Sequence, residues 1–377
     1  MISAYETRKA ASVATKRVPG SVLIARSTSG EVYEPAWSRA LNDLGVDSRM
    51  FDTYACFPGG IWGRAQQRLL WGPAMWKANR RLLDRVRRER PDVTLLYQGH
   101  HFWAETVARL REHTFVVGYH NDDPLGPQTA ELRFRHLKPA LPLYHGYHTY
   151  RDCTAEDLRA AGVPRVGLVR SFYLPWADYP RALSAEDKAR FGCQLTFAGH
   201  WEPDLRVECL SRAVRAGVQV RLHGEPRFWR RSLPRDVLRR LAPVRARYGD
   251  DYRKALCGAE IAACFLSQWN RDQYTRRVFE IPACGVFLLA ERTPLMRELY
   301  REGEEAEFFD SPEEFLDKVT FYLGNPRVRK RVAASGHRRA TSSGYDVYSR
   351  IRGWLADVGE WRGDRPAAPR SSTGRAA

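Results

Sequence analysis

The apolar positions of this chain fall in short unbroken runs, each followed by a stretch with helical spacing. SVLIARS (21–27), VTLLYQ (93–98), FVVGYH (115–120), CQLTFAG (193–199), AEIAACFLS (259–267) and VFLLA (286–290) are the strongest runs. Continuous runs, as opposed to alternation, fit strands covered on both faces by helices. Weaker strands are expected at 46–51, 141–150, 163–172 and 218–224. Helical spacing occupies 34–45, 61–90, 103–112, 154–162, 204–216, 252–257, 294–302, 312–323 and 326–339. Thr154 is the expected N-cap and Gly162 the expected C-cap of their helix. Strands alternating with helices predict parallel, doubly wound sheets.

The alternation breaks at SFYLPWADYPRAL (171–183) and restarts at Cys193. The expected organisation is a disordered arm (1–18), a first α/β domain (19–172), a linker (173–190) and a second α/β domain (191–344). An amphipathic helix (345–361) and a disordered tail (362–377) follow.

Composition narrows the classes. A chain of 377 residues suits two cores. No apolar run approaches the roughly 20 residues of a membrane span. The first residues are basic but lack an apolar leader core, so a cytoplasmic location is expected. Seven scattered cysteines, with neither a CxxC pair nor zinc spacing, read as free thiols, and no metal site is expected. The formal charge of +17, with only eight lysines, has two readings: a GC-rich genome, or attraction to nucleotide phosphates, anionic lipid or nucleic acid. No zinc finger, RNA-binding aromatic motif or basic zipper occurs, so nucleic acid is not an expected partner. Walker A and GxGxxG patterns are missing too, which leaves ordinary NTPase and dinucleotide chemistry unsupported.

Candidate chemistry sits at the carboxyl ends of strands, where such sheets bind ligands. In the first domain these positions hold His100, His101, His120, Asn121, Asp122 and Asp123. His120, Asp122 and Asp123 are candidates for a general base or for substrate hydroxyl contacts. The competing reading is an Asx turn before Pro124. In the second domain Gly199 and Gly224 close strands, where a backbone can approach a phosphate, or are plain turn residues. DQYTRRVFEIPACGVFLLAE (272–291) reads as a helix feeding a buried strand through Gly285. Eight residues separate Asp272 from Glu280, a little over two helical turns, which predicts one shared face. Asp272 reads equally as an N-cap.

Four segments resemble the CgeB-like (spore maturation protein-like) glycosyltransferases: YHNDDP (119–124), TFAGHWEPDLR (196–206), RDQYTRRVFEIPACGVFLLAE (271–291) and 308–340. The resemblance implies a GT-B architecture, two Rossmann-like domains with mainly parallel sheets facing a cleft. It also implies a final helix crossing back to the first domain. The second domain would bind a nucleoside-diphosphate sugar, UDP-sugar being slightly favoured, and the first an acceptor glycan, lipid-linked or small molecule. Relatives carry Glu-x7-Glu; the matching pair here is Asp272 and Glu280, a departure at the first position. Glu280 is then expected on the donor ribose and Asp272 near the transferred sugar. This fold usually works without a bound metal, so Arg206 and Arg277 are the expected diphosphate cations, with Gly199 and Gly224 giving backbone access. An ion pair from Arg277 to Asp272 or Glu280 is the bland alternative. Thr275 and Tyr274 are candidates to line the sugar pocket. Peripheral contact with an anionic membrane, through the Trp- and Arg-rich 61–90, is a further expectation. The alternatives are a catalytically degenerate nucleotide-sugar-binding protein and a basic membrane-surface scaffold.

Overall fold

The computed structural model describes residues 18–26, 32–127, 131–241 and 243–363. The expected arm lies outside these residues but for Val18, and so does most of the expected tail. The chain divides into two compact units, one ending at Val169 and regaining residues from Ile351 onward, the other spanning Arg170–Arg350.

In the first unit β1 (Ser21–Arg26), β2 (Asp47–Asp52), β3 (Val93–Tyr97), β4 (Phe115–His120), β5 (Gly146–Thr149) and β6 (Val166–Leu168) form one sheet. Its order is β2-β1-β3-β4-β5-β6, and each neighbouring pair is parallel. The second unit holds β7 (Cys193–Ala198), β8 (Val220–His223), β9 (Ala259–Cys264), β10 (Phe287–Glu291) and β11 (Glu307–Phe309), ordered β11-β10-β9-β7-β8 and again all parallel. Every residue of β3 and β4 is buried, whereas β2, at the sheet edge, buries only Ser48 and Phe51. That difference is why the central strands read as unbroken apolar runs and the edge strand reads weakly.

Packing explains several sequence choices. Gly118 of β4 lies opposite Tyr147 of β5, and a Cβ there would stand 2.1 Å from the Tyr147 ring. In the same unit the fully buried Trp37 meets Tyr97, Tyr119 and Trp354. His148 lies 3.3 Å from Asp357 and stacks on Trp361.

Helix-to-strand turns repeat one device. Gly285 adopts φ 73°, its amide donates to Pro282 O, and the Val286 amide donates to Ile281 O. These are the two bonds of a Schellman motif, which needs a left-handed residue. Gly-Val dipeptides make the same paired bonds at 45–46, 162–163 and 217–218.

Three expectations are corrected. The stretch 61–90 is two helices, α1 (Gly60–Leu69) and α2 (Pro73–Glu89). Leu70 at φ 47° and Gly72 at φ 111° break it, and Pro73 opens the second helix because its missing N–H costs nothing there. Thr154 is not an N-cap: its helix begins at Asp152 after Arg151, and the Thr154 hydroxyl donates to Asp123 Oδ1 at 3.1 Å. The segment expected as a linker belongs to the second unit, since Tyr173 and Asp178 are buried there and Arg253 pairs with Asp178 at 2.9 Å.

Candidate functional site

In the second sheet β7 is flanked by β8 on one side and β9 on the other, so the winding direction reverses between β7 and β9. Ligand sites of open α/β sheets lie beyond the carboxyl ends of the strands at such a reversal. Gly199 follows β7, and the segment after β9 leads through Ser267 and Asp272 into α3 (Arg277–Ala283). Arg277 spans these two strand ends: its Nε donates to Ala198 O, the last carbonyl of β7, at 2.8 Å. Gly199 leaves room for it, since a Cβ there would lie 2.9 Å from the Arg277 guanidinium and 2.6 Å from the Phe197 ring.

The shared face expected for Asp272 and Glu280 does not exist. α3 starts at Arg277, with Arg276 at the N-cap position, and Asp272 lies in a turn before it. Arg271 at φ 50° closes that turn, and the Asp272 amide donates to Ser267 O at 2.9 Å. Asp272 therefore does not cap α3 either. Thr275 is half-buried just ahead of the helix. Tyr274 is fully buried, its hydroxyl accepts the Ser171 amide at 3.3 Å, and burial pushes its phenol up to about 12. Its ring is held in the interior.

Glu280 is buried, and its partners differ from those expected. Arg276, one helical turn earlier, holds Oε1 at 2.7 Å, and the Tyr252 hydroxyl donates to Oε2 at 2.9 Å. Burial pushes the carboxyl above its ordinary range against the pull of Arg276. An ion pair with Glu280 is the bland alternative for Arg277, but Arg276 has the i,i+4 spacing that meets Glu280 on a helix and makes the pair. That spacing was the available signal for Arg276.

Arg206 cannot serve a phosphate in this arrangement. Its side chain is buried among Asp204, which takes Nε at 2.7 Å, and the carbonyls of His200 and Leu266, at 2.6 and 3.1 Å. Its donors are spent organising the segment between β7 and its following helix. The same cluster holds His200, which meets Glu202 at 2.5 Å, and Glu291 at the end of β10. Burial alone would raise Glu202, but His200 and Arg206 outweigh it and leave it lowered; Glu291, buried with weaker compensation, is pushed up to about 7.

The two glycines also differ from expectation. The Gly199 amide donates to His223 O at 2.9 Å, and that of Gly224 to Arg245 O at 3.2 Å. Neither leaves its N–H for a phosphate. A Cβ on Gly224 would lie 2.4 Å from Trp229 Nε1, so this glycine seats the indole.

In the first unit the strand ends collect a buried histidine group. Gln98 and Gly99 after β3 have φ 61° and 66°, and His100 and His101 follow with ring centroids 4.1 Å apart. His120 Nδ1 accepts the Asp122 amide at 2.9 Å, while its Nε2 is buried with no hydrogen-bond partner among the described residues. Burial lowers all three rings, His101 to about 3 and His120 to about 4, so each is neutral at pH 7. Asp123 is buried against Thr154, whereas Asp122 pairs with Arg133 at 2.8 Å and stays partly exposed. His145 accepts the Val116 amide and stacks on Phe115, as a packing residue. Among the described residues no group of three or more His, Cys, Asp or Glu is arranged to hold a metal ion. No described helix is long and apolar enough to cross a membrane.

Residues 206–356 match the family described as Glycosyl transferase-like. No curated protein matches the chain. HepE from Anabaena, solved with UDP and glucose, superposes with a TM-score of 0.61 at 11% identity, covering 90% of this chain and 98% of that one. Sucrose-phosphate synthase from Thermosynechococcus elongatus gives 0.63 at 12%, over 91% and 98%. A glycosyltransferase from Rickettsia africae gives 0.63 at 10%, over 92% and 100%. The chain thus has the GT-B glycosyltransferase fold, with a glycosyl transferase-like domain that contains α3.

Proposed function

We propose that this protein is a UDP-sugar-dependent glycosyltransferase of the CgeB-like branch, with the donor held by the second unit. The observation that carries the reading is Arg277, placed over the carboxyl end of β7 beside Gly199, at the reversal point of the sheet. A planar guanidinium there matches the oxygens of a diphosphate and stabilises the charge that develops as the sugar departs. The family match, over 206–356, includes Arg277, and HepE, of like fold, was solved with UDP-glucose.

Glu280 is the proposed ribose anchor. A carboxylate has about four lone-pair sites, and Arg276 and Tyr252 occupy one on each oxygen. A ribose diol takes the remaining sites or displaces the Tyr252 hydroxyl. Asp272, in its turn after β9, stands near the transferred sugar, with Thr275 beside it. Arginine supplies the countercharge, so no metal is required for departure of the nucleotide.

The acceptor, a glycan, a lipid-linked saccharide or a small molecule, is assigned to the first unit. Asp122 is its better-placed base, being more exposed than Asp123, and neutral His120 holds the Asp122 backbone. The enzyme would work on the cytoplasmic side, in contact with anionic membrane.

A thermal-shift screen with UDP-, GDP-, TDP- and CMP-sugars tests the reading. The expected result is a rise with a UDP-sugar, lost in Arg277→Ala and Glu280→Ala. No rise with any donor, or a rise undiminished in both variants, rejects it. Transfer or donor hydrolysis by the purified protein separates an enzyme from a binding protein.

A further inference from the structure

A helix on a globular surface normally turns its apolar arc inward. α1 does the reverse. Within it only Gly63 is buried. Ile61, Trp62 and Leu69 are 73%, 78% and 51% exposed, and at 100° per residue they share one arc of the helix. Arg64 and Arg68, both exposed, flank that arc on one side. The break after α1 continues the surface. Leu70, buried, is held in the left-handed region by Arg135 and His136, which both reach its carbonyl. That turn leaves Trp71 71% exposed, and Trp76 in the first turn of α2 is 68% exposed. Between them opens an apolar cavity of about 620 Å3, walled by Trp71, Pro73, Trp76, Trp103 and His136.

Charge on this face is mainly basic, with Asp84 set against Arg80 at 3.8 Å. From Thr53 to Leu83 the chain has no acidic residue, while Arg64, Arg68, Lys77, Arg80 and Arg81 are all exposed. Trp76 and Arg80 lie one turn apart on α2, and so do Lys77 and Arg81. An exposed apolar arc edged by cations, with indoles at its rim, is the surface that lies in the boundary layer of an anionic bilayer: the rings enter the acyl edge and the guanidinium groups meet headgroup phosphates.

We propose that α1 and the first turns of α2 dock this protein onto an anionic lipid bilayer, with Ile61, Trp62, Leu69 and Trp71 inserting and Arg64, Arg68, Lys77 and Arg80 binding headgroups. The inference rests on the chemistry of this face and does not require the transferase reading.

The test is flotation of the full chain with phosphatidylcholine vesicles, with and without phosphatidylglycerol, at low and high salt. Flotation with the anionic vesicles alone, weakened by salt, is expected. Ile61→Glu/Trp62→Glu should lower binding by about tenfold or more, as expected when inserting side chains gain charge. Arg64→Gln/Arg68→Gln should weaken it and flatten its salt dependence. All four side chains are exposed, so both variants should keep the wild-type melting temperature and donor response. No flotation with anionic vesicles, or equal flotation of the variants, overturns the proposal. So does a lipid-free dimer that Ile61→Glu/Trp62→Glu abolishes, which assigns the face to a second copy. Soluble-glycan binding that Trp71→Ala/Trp76→Ala abolishes and that blocks flotation overturns it as well, by assigning the Trp-lined cavity to saccharide.

Discussion

The Tyr300 hydroxyl donates to Val278 O at 2.9 Å. Val278 stands four residues before Pro282, and proline has no N–H to close that helical bond. Tyr300 thus replaces the missing amide from outside the helix, in a fully buried position. Tyr300→Phe leaves the carbonyl unsatisfied and should destabilise the protein by about 1–3 kcal/mol. Urea denaturation measures it. In a Pro282→Ala background, where residue 282 regains its amide, the same change should cost less. Equal costs in the two backgrounds would refute the substitution of hydroxyl for amide.

Arg276 and Arg277 are adjacent but should fail differently. Arg276→Ala leaves the buried Glu280 carboxylate without its cation, and loss of one partner of a buried pair typically costs about 3–5 kcal/mol. Arg276→Ala/Glu280→Ala should recover part of that loss. Arg277→Ala should leave the denaturation midpoint nearer wild type and remove the donor-induced thermal shift. If Arg277→Ala unfolds the protein as readily as Arg276→Ala, its assignment to the diphosphate fails.

Gly199→Ala tests the same corner from the backbone side. The new methyl would meet the Phe197 ring and the Arg277 guanidinium. Overpacking of this kind costs about 1–3 kcal/mol. Because Arg277 must move, donor affinity should fall further than in Gly324→Ala, at a glycine where a Cβ would meet open space. Matched donor affinities would show that the closeness of Gly199 to Arg277 has no functional weight.

Acid should weaken the first unit through His120. Burial, with Arg133 and Arg151, lowers this ring to about 4 despite Asp122. A base with a depressed pKa in the folded state stabilises above its unfolded pKa, near 6.5, and that stability is lost as pH falls toward 4. The loss is on the order of 3 kcal/mol for a shift of this size. Denaturation midpoints between these pH values should fall more steeply for wild type than for His120→Asn. Parallel profiles would place the acid sensitivity elsewhere.

Much of the fold is legible because central parallel strands must be apolar on both faces; β3, β4, β7 and β9 fall within the unbroken runs, and β10 overruns its own by Glu291 alone. Edge strands carry less of that signal: β6 shrinks to Val166–Leu168 from an apolar stretch three times as long. Around α3 the residue types were legible and their geometry was not. Spacing alone cannot reveal that α3 begins at Arg277, because Asp272 to Arg276 contain nothing that forbids a helix; the tertiary turn closed by Arg271 decides it. Arg206 departs from its expected role for a related reason. A chain position near a strand end does not say whether a guanidinium faces ligand or backbone, and here three local acceptors consume it.

The packing of Trp354 against Trp37 also sets an order of events during synthesis. The two indoles belong to one core, yet the whole sequence of the other unit lies between them. When the first sheet has emerged from the ribosome, the hydrophobic surface around Trp37 is still uncovered. It stays so while residues 170–350 are translated. The second unit, contiguous in sequence, can fold as it emerges, whereas the first must wait for its closing helix and is the half more in need of chaperone protection.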